Sequence, residues 1–135
     1  GCEKDENGNI TVIHATYDPE TKGGNAPDGR KVKGTIHWVA AETAVKAVCR
    51  LYENLIDEEK GVYNEDGSLN LNPNSLTVKS ECYLEPAFAG AKPYDRFQFV
   101  RNGYFCVDAK DSKEDALVFN RIVSLKSSFK LPKQN

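Results

Sequence analysis

Methionine is missing altogether from these 135 residues, tryptophan occurs once and histidine only twice. No apolar run is long enough to cross a bilayer as a helix, which removes a membrane-spanning reading. The four cysteines, Cys2, Cys49, Cys82 and Cys106, stand singly without a Cys-x-x-Cys pair, and His14 and His37 lie far apart in the chain. A zinc site therefore has no support in ligand spacing. Nucleophile signatures are also lacking: there is no Gly-x-Ser-x-Gly and no cysteine with an identifiable histidine partner. Clustered carboxylates such as Asp57-Glu58-Glu59 fall in loop-like sequence and read as solvated charge, not as an acid and base pair. The expectation is a chain that is not catalytic by itself and that holds no metal.

Position 1 carries glycine where an initiator methionine would stand, so the chain is expected to be a piece of something longer, with Gly1 left by a cleaved tag. Its length allows one domain with a real core. Hydrophobic residues make up 39% and charged residues 28%, a globular balance. Such a core does not need disulfides, so reduced thiols are expected, although four cysteines also fit two bridges in a secreted domain. Cys2 directly after Gly1 would likewise fit an acylated lipoprotein terminus.

The formal net charge of −2 hides a gradient. Residues 1–70 hold 13 acidic and 8 basic side chains, net −5, and residues 71–135 hold 7 acidic and 10 basic, net +3. A surface that accepts phosphate belongs in the second half on this count.

Along the chain, Glu6-Asn7-Gly8-Asn9 carries an Asn-Gly turn signal, and the alternation from Ile10 onward reads as a strand, so the start is half of a hairpin. Asp5, Asn7 and Gly8 resemble the beginning of a calcium loop, but Thr16 stands where its glutamate should be. Asn9-Ile10-Thr11 matches a glycosylation acceptor, a pattern frequent by chance. Gly24 and Gly29 have Walker A spacing, yet Arg30-Lys31 replaces Lys-Ser/Thr and no helix follows to bind phosphate. Val32, Gly34, Ile36 and Trp38 alternate with Lys33, Thr35 and His37, which predicts a half-buried strand with Arg30, Lys31 and Lys33 at its solvent side. Those three basic residues are candidate phosphate contacts, with a solvated strand entrance as the alternative.

Residues 44–52 suit a helix on propensity and a strand on alternation. The segment after them is dense in turn residues and reads as a long surface loop or short hairpin. From Leu76 the sequence shows three strand-like runs, Leu76–Leu84, Arg96–Asp108 and Leu117–Leu125. The middle run is predicted to be two strands joined by Asn102-Gly103. Consecutive antiparallel strands with short connections predict an all-β barrel or sandwich. Within the middle run Arg96, Gln98 and Arg101 alternate with Phe97, Phe99, Tyr104 and Phe105. Arginine and glutamine can bond base edges and exposed aromatics can stack on bases, whereas Phe97 and Phe99, two apart, fit a core face.

Five ordered pieces, DGRKVKGTIHWV, RLYENL, NPNSL, FQFVRNGYFCVD and FNRIVSLKSSF, resemble the C-terminal anticodon-binding region of the glutaminyl-tRNA synthetases. The resemblance spans residues 3 to 130. It implies an antiparallel β-barrel of the type shared with a ribosomal protein of the 5S RNA site, forming one C-terminal domain over residues 1–135. It also implies a cytoplasmic parent enzyme that ligates glutamine to tRNA(Gln) with ATP and magnesium, none of that chemistry lying in this fragment. The partner would be tRNA(Gln), with no DNA or membrane. By motif position Gln98 and Arg101 would contact the middle and last anticodon bases, and Ser128 and Lys126 would lie near the anticodon. Val100 stands where the family often has an acidic residue. The resemblance also favours strand for residues 44–52, and implies a missing catalytic domain and missing barrel strands upstream. The resulting open edge predicts a strand-mediated dimer of the fragment. Strict alternation puts Gln98 and Arg101 on opposite faces, a conflict that twist or a bulge would have to resolve. The rival reading is an extracellular β-domain that binds protein or carbohydrate; a third is a structural relay that positions RNA-reading domains without touching bases.

Overall fold

The computed structural model describes residues 1–21, 26–31, 34, 36–57 and 59–125, which form two compact units, Gly1–Ile36 and His37–Asn135. In the first, β1 (Cys2–Lys4) and β2 (Ile10–Ile13) form a two-stranded antiparallel hairpin. The expected turn is there: Gly8 has φ 83°, and the Asp5 carboxylate accepts hydrogen bonds from the Asn7 and Asn9 amides at 2.9 and 2.8 Å. A bond from the Asn9 side chain, followed by these amide bonds, holds the Asp5 carboxyl below its usual range.

The second unit is a five-stranded sheet of β3 (Val45–Tyr52), β4 (Leu76–Leu84), β5 (Arg96–Phe99), β6 (Gly103–Val107) and β7 (Leu117–Val123), in spatial order β4-β3-β7-β6-β5. The fold is all-β, and residues 45–52 form a strand despite their helical propensity. Tertiary pairing decides this: β3 has neighbours on both sides, and Ala47 and Cys49 pack into the core. The sheet is not wholly antiparallel as predicted, because β3 and β7 run parallel. Everything between them, β4 through β6, serves as a crossover long enough to bring the chain back in the same direction. The segment from Glu53 to Ser75 is a loosely paired arm with isolated bridges at Ile56↔Leu71 and Tyr63↔Leu69.

The strand predicted through Val32–Trp38 is not found among the described residues. Residues 34 and 36–40 are irregular, Ile36 and Trp38 are 83% and 69% exposed, and Val32, Lys33 and Thr35 lie outside the described residues. Alternation marks a segment able to line a sheet, but strand structure needs a hydrogen-bonded neighbour, and residues 34 and 36–40 have none among the described residues.

One face of the large sheet carries the core. Ala47, Cys49, Leu84, Phe99, Phe105, Val107, Leu117 and Phe119 are buried there, and Phe88 covers them from the 3-10 helix Pro86–Gly90. Phe119 is 0% exposed, with the rings of Phe88, Phe97 and Phe99 edge-on to it at 5.9, 6.1 and 5.2 Å. Phe99 and Phe105 stack at 4.3 Å. Each fully buried phenylalanine contributes about 1.5–3 kcal/mol, and offset or edge-on pairing adds about 0.5–1.5 kcal/mol per pair. All four cysteines are free thiols. Burial first, then the neighbouring Cys82 thiol, pushes the Cys49 thiol up to about 12, so it acts as a small apolar side chain.

Behind the sheet's other face a polar knot ties β3, β6 and β7 together. The Asp108 carboxylate, at the end of β6, accepts bonds from the backbone amides of Lys110 and Asp111 at 2.8 and 2.7 Å. It also accepts from the Asn120 side chain at 2.6 Å and from Arg50 at 3.4 Å, while Arg50 reaches Asp111 at 2.7 Å. Led by the Asp111 amide, these donors hold the Asp108 carboxyl below its ordinary value.

A lowered folded-state pKa contributes stability above the unfolded value of about 3.9, and that stability is lost as pH falls through the folded value. Asp108→Ala should therefore destabilise by about 1.5–3 kcal/mol at pH 7. Urea midpoints of the variant and the parent should draw together below about pH 4. A constant difference across that window would show that the carboxylate charge is not what the knot uses. Gly103 offers a second test. Its φ is 141°, and a Cβ there would lie 2.6 Å from the Val123 carbonyl oxygen. Gly103→Ala is expected to lose about 1–3 kcal/mol or to detach the end of β7 from β6, seen as faster amide exchange at Val123.

Candidate nucleic-acid interface

The β5–β6 hairpin places its side chains by simple alternation. Phe97 and Phe99 turn toward the core, as their spacing predicts, and so does Phe105 on the facing strand. Arg96 and Gln98 are exposed on the opposite face, where Arg96 pairs across with Cys106 and Gln98 with Tyr104. The core thus takes three of the hairpin's four aromatic rings and leaves the fourth, Tyr104, outside.

The turn differs from the expected Asn102-Gly103 centre. Phe99 pairs with Gly103, residues 100–102 form the loop, and the Asn102 amide donates to the Phe99 carbonyl at 2.9 Å. Arg101, not Asn102, takes the left-handed backbone, with φ 67°. This is the arrangement of a type II turn, whose third position favours glycine. Gly103 is unavailable for that role because its freedom is used two residues later, to let the Val123 carbonyl approach. The conflict over faces disappears as a result. Strand alternation stops at Phe99, and Arg101 projects from the turn and not from either face of β5. Gln98 and Arg101 are both exposed at the same end of the hairpin.

β7 approaches that end as well. Tyr104 pairs with Val123 and Phe105 with Arg121, so Ile122 is an extra residue and the strand bulges beside Tyr104. The described chain ends at Leu125, just past this bulge. Lys126 and Ser128 lie outside the described residues, as does Lys33.

The cations are not equivalent. The Arg121 guanidinium bonds the Tyr52 carbonyl at 3.2 Å and pairs with Glu53, and Arg50 belongs to the Asp108 knot. Arg30 pairs with Asp18 and lies 3.4 Å from Asp28, which neutralises much of its charge, whereas Lys31 is exposed. Arg96 is exposed and has no carboxylate partner among the described residues. Sequence reasoning singled out Gln98 and Arg101 but not the fact that Arg96 and Tyr104 share the outward face with Gln98. Period-2 counting along both strands would have found that, given the register of the hairpin.

Among the described residues no group of three or more His, Cys, Asp and Glu side chains is placed to hold a metal ion, and no helix is long and apolar enough to cross a membrane. The outward face therefore offers hydrogen-bond donors, an amide, an aromatic ring and positive charge, a set suited to unpaired bases and their phosphates.

Comparison with known proteins takes in the hairpin. The chain is 52% identical over 131 residues to the glutamine–tRNA ligase of Clostridium kluyveri, covering 96% of this chain and 23% of that protein. It is 54% identical over 132 residues to the glutamine–tRNA ligase of Clostridium perfringens, covering 95% of the chain, and 54% identical over 127 residues to that of Vibrio cholerae, covering 94%. The chain spans 23% of the length of each of these relatives. None of them favours the extracellular reading. Residues 35–108 match the family of the tRNA synthetases class I (E and Q), anti-codon binding domain. Because that match takes in β3 through β6, and with them the hairpin that carries Gln98 and Arg101, the chain belongs to the anti-codon binding domain family of the class I tRNA synthetases (E and Q).

Proposed function

We propose that this chain reads the anticodon of tRNA(Gln) for a glutamine–tRNA ligase of which it forms the anticodon-binding part. The observation that carries the reading is the split hairpin. Its phenylalanines are consumed by the core, while Gln98 and Arg101, which can bond base edges, stay in solvent at one end. Arg101 supports the same reading through its backbone. A non-glycine residue in the left-handed region costs about 1–3 kcal/mol, and such strain clusters at ligand-binding sites. The relatives named glutamine–tRNA ligase point to glutamine as the amino acid and tRNA(Gln) as the partner.

In this reading ligation, with its ATP and magnesium, belongs to the remainder of the longer protein in the cytoplasm, and no chemical step is assigned to the residues described. The five-stranded sheet would be part of a β-barrel completed by further strands. Lys126 and Ser128 would add contacts near the anticodon; Arg30, Lys31 and Lys33 would at most meet phosphate.

Binding of an RNA stem-loop with a glutamine anticodon, measured by fluorescence anisotropy, tests the assignment. Affinity should fall linearly with the logarithm of salt concentration. Arg101→Ala and Gln98→Ala should each weaken binding by about 1–3 kcal/mol for the cognate loop and by much less for loops with other anticodons. Uniform losses across all loops would instead favour a relay that positions RNA without reading bases. Arg101→Gly should bind as weakly as Arg101→Ala while raising the urea midpoint, since glycine relieves the backbone. The exposed edges of β4 and β5 have no strand partner among the described residues, so the chain should also form a concentration-dependent dimer in sedimentation.

A further inference from the structure

We infer that Tyr104 is a stacking platform for the base whose edge Gln98 bonds. The inference rests on the anticodon reading and adds a contact to it. Three of the four aromatic rings of the hairpin enter the phenylalanine cluster, but Tyr104 makes no ring contact with any of them and is 44% exposed. Its hydroxyl has no hydrogen-bond partner among the described residues, so the phenol is not held there to satisfy a buried group. Gln98 lies directly opposite it in the register. Side chains of such cross-strand pairs leave the sheet with their Cβ atoms about 4.5–5.5 Å apart. An amide and an aromatic face at that separation can meet one base together, the amide at its edge and the ring on its plane.

Two features of the surroundings favour a base over a protein side chain. The bulge in β7 places Val123 opposite Tyr104 and Ile122 beside it in the register, both more than half exposed, so apolar surface lies next to an exposed ring. Arg96 lies two residues along β5 on the same face, about 7 Å away, with no carboxylate partner among the described residues, where it can meet a phosphate of the same strand of RNA. A platform of ring, amide and guanidinium on neighbouring positions matches a nucleotide in all three of its parts. Stacking tolerates any base, so Tyr104 supplies affinity and holds the base in place while Gln98 supplies the choice.

The test is a cycle between protein and RNA, read as affinity of the chain for the glutamine-anticodon stem-loop. Tyr104→Ile and Tyr104→Thr keep strand-forming side chains but lack the ring, and each should weaken binding about 5- to 150-fold, the equivalent of one base stack. Tyr104→Phe should bind within about twofold of the parent. A loop with an abasic site at the position where the Gln98→Ala loss vanishes should also abolish the Tyr104→Ile loss, because both side chains then have nothing to hold. If Tyr104→Ile binds as the parent does, or if its loss survives at that abasic site, Tyr104 does not stack there and the inference falls while the anticodon reading stands. If the parent chain fails to bind the stem-loop even at low salt, both fall together.

Discussion

The structure hangs on Phe119. β7 is the middle strand of the large sheet, and the ring of Phe119 is the point where the 3-10 helix, through Phe88, and the hairpin, through Phe97 and Phe99, meet one another. Packing five aromatic rings in one cluster orients everything attached to them. Because Phe97 and Phe99 must face Phe119, Arg96 and Gln98 must face away, and because Phe105 stacks on Phe99, its neighbour Tyr104 must face away too. The interface is in this sense the reverse side of the core.

A second constraint fixes where that reverse side ends. The missing side chain of Gly103 lets the Val123 carbonyl press against the hairpin, which brings the end of β7 beside the turn. The same demand leaves Gly103 unable to serve as the turn's left-handed residue, and Arg101 takes the position instead. On the far end of β6 the Asp108 knot plays the matching role, joining β3, β6 and β7 through one carboxylate and the donors around it. The hairpin is thus held at both ends by contacts that leave Arg96, Gln98 and Tyr104 exposed on its outward face.

Several of these features are visible in the amino-acid sequence because they depend on neighbours a few residues apart. Asn7-Gly8 marks a turn whose geometry needs positive φ, and the alternation of Phe97 and Phe99 with Gln98 separates core from solvent without knowledge of any partner strand. Other features depend on groups distant in the chain, and there local reading fails in both directions. Residues 45–52 have helical propensity and become a strand because β4 and β7 pair with both edges. Ile36 and Trp38 have the alternation of a strand and do not become one, since no edge pairs with them among the described residues. Asn102-Gly103 has the chemistry of a two-residue turn, but the carbonyl of Val123, twenty residues on, claims the glycine.

By itself the sequence determined the all-β class, the hairpin, the family resemblance and the identity of Gln98 and Arg101 as the polar residues left over once the phenylalanines are assigned to a core. Each of these follows from side-chain periodicity or an ordered set of motifs, which are local properties. Only the tertiary structure decided that β3 and β7 run parallel, that Arg101 sits at a turn and not on a strand face, and that Tyr104 stands opposite Gln98 with Arg96 beside them. Those are consequences of register and of close backbone approach between segments far apart in the chain, and neither quantity is written in any single stretch of residues.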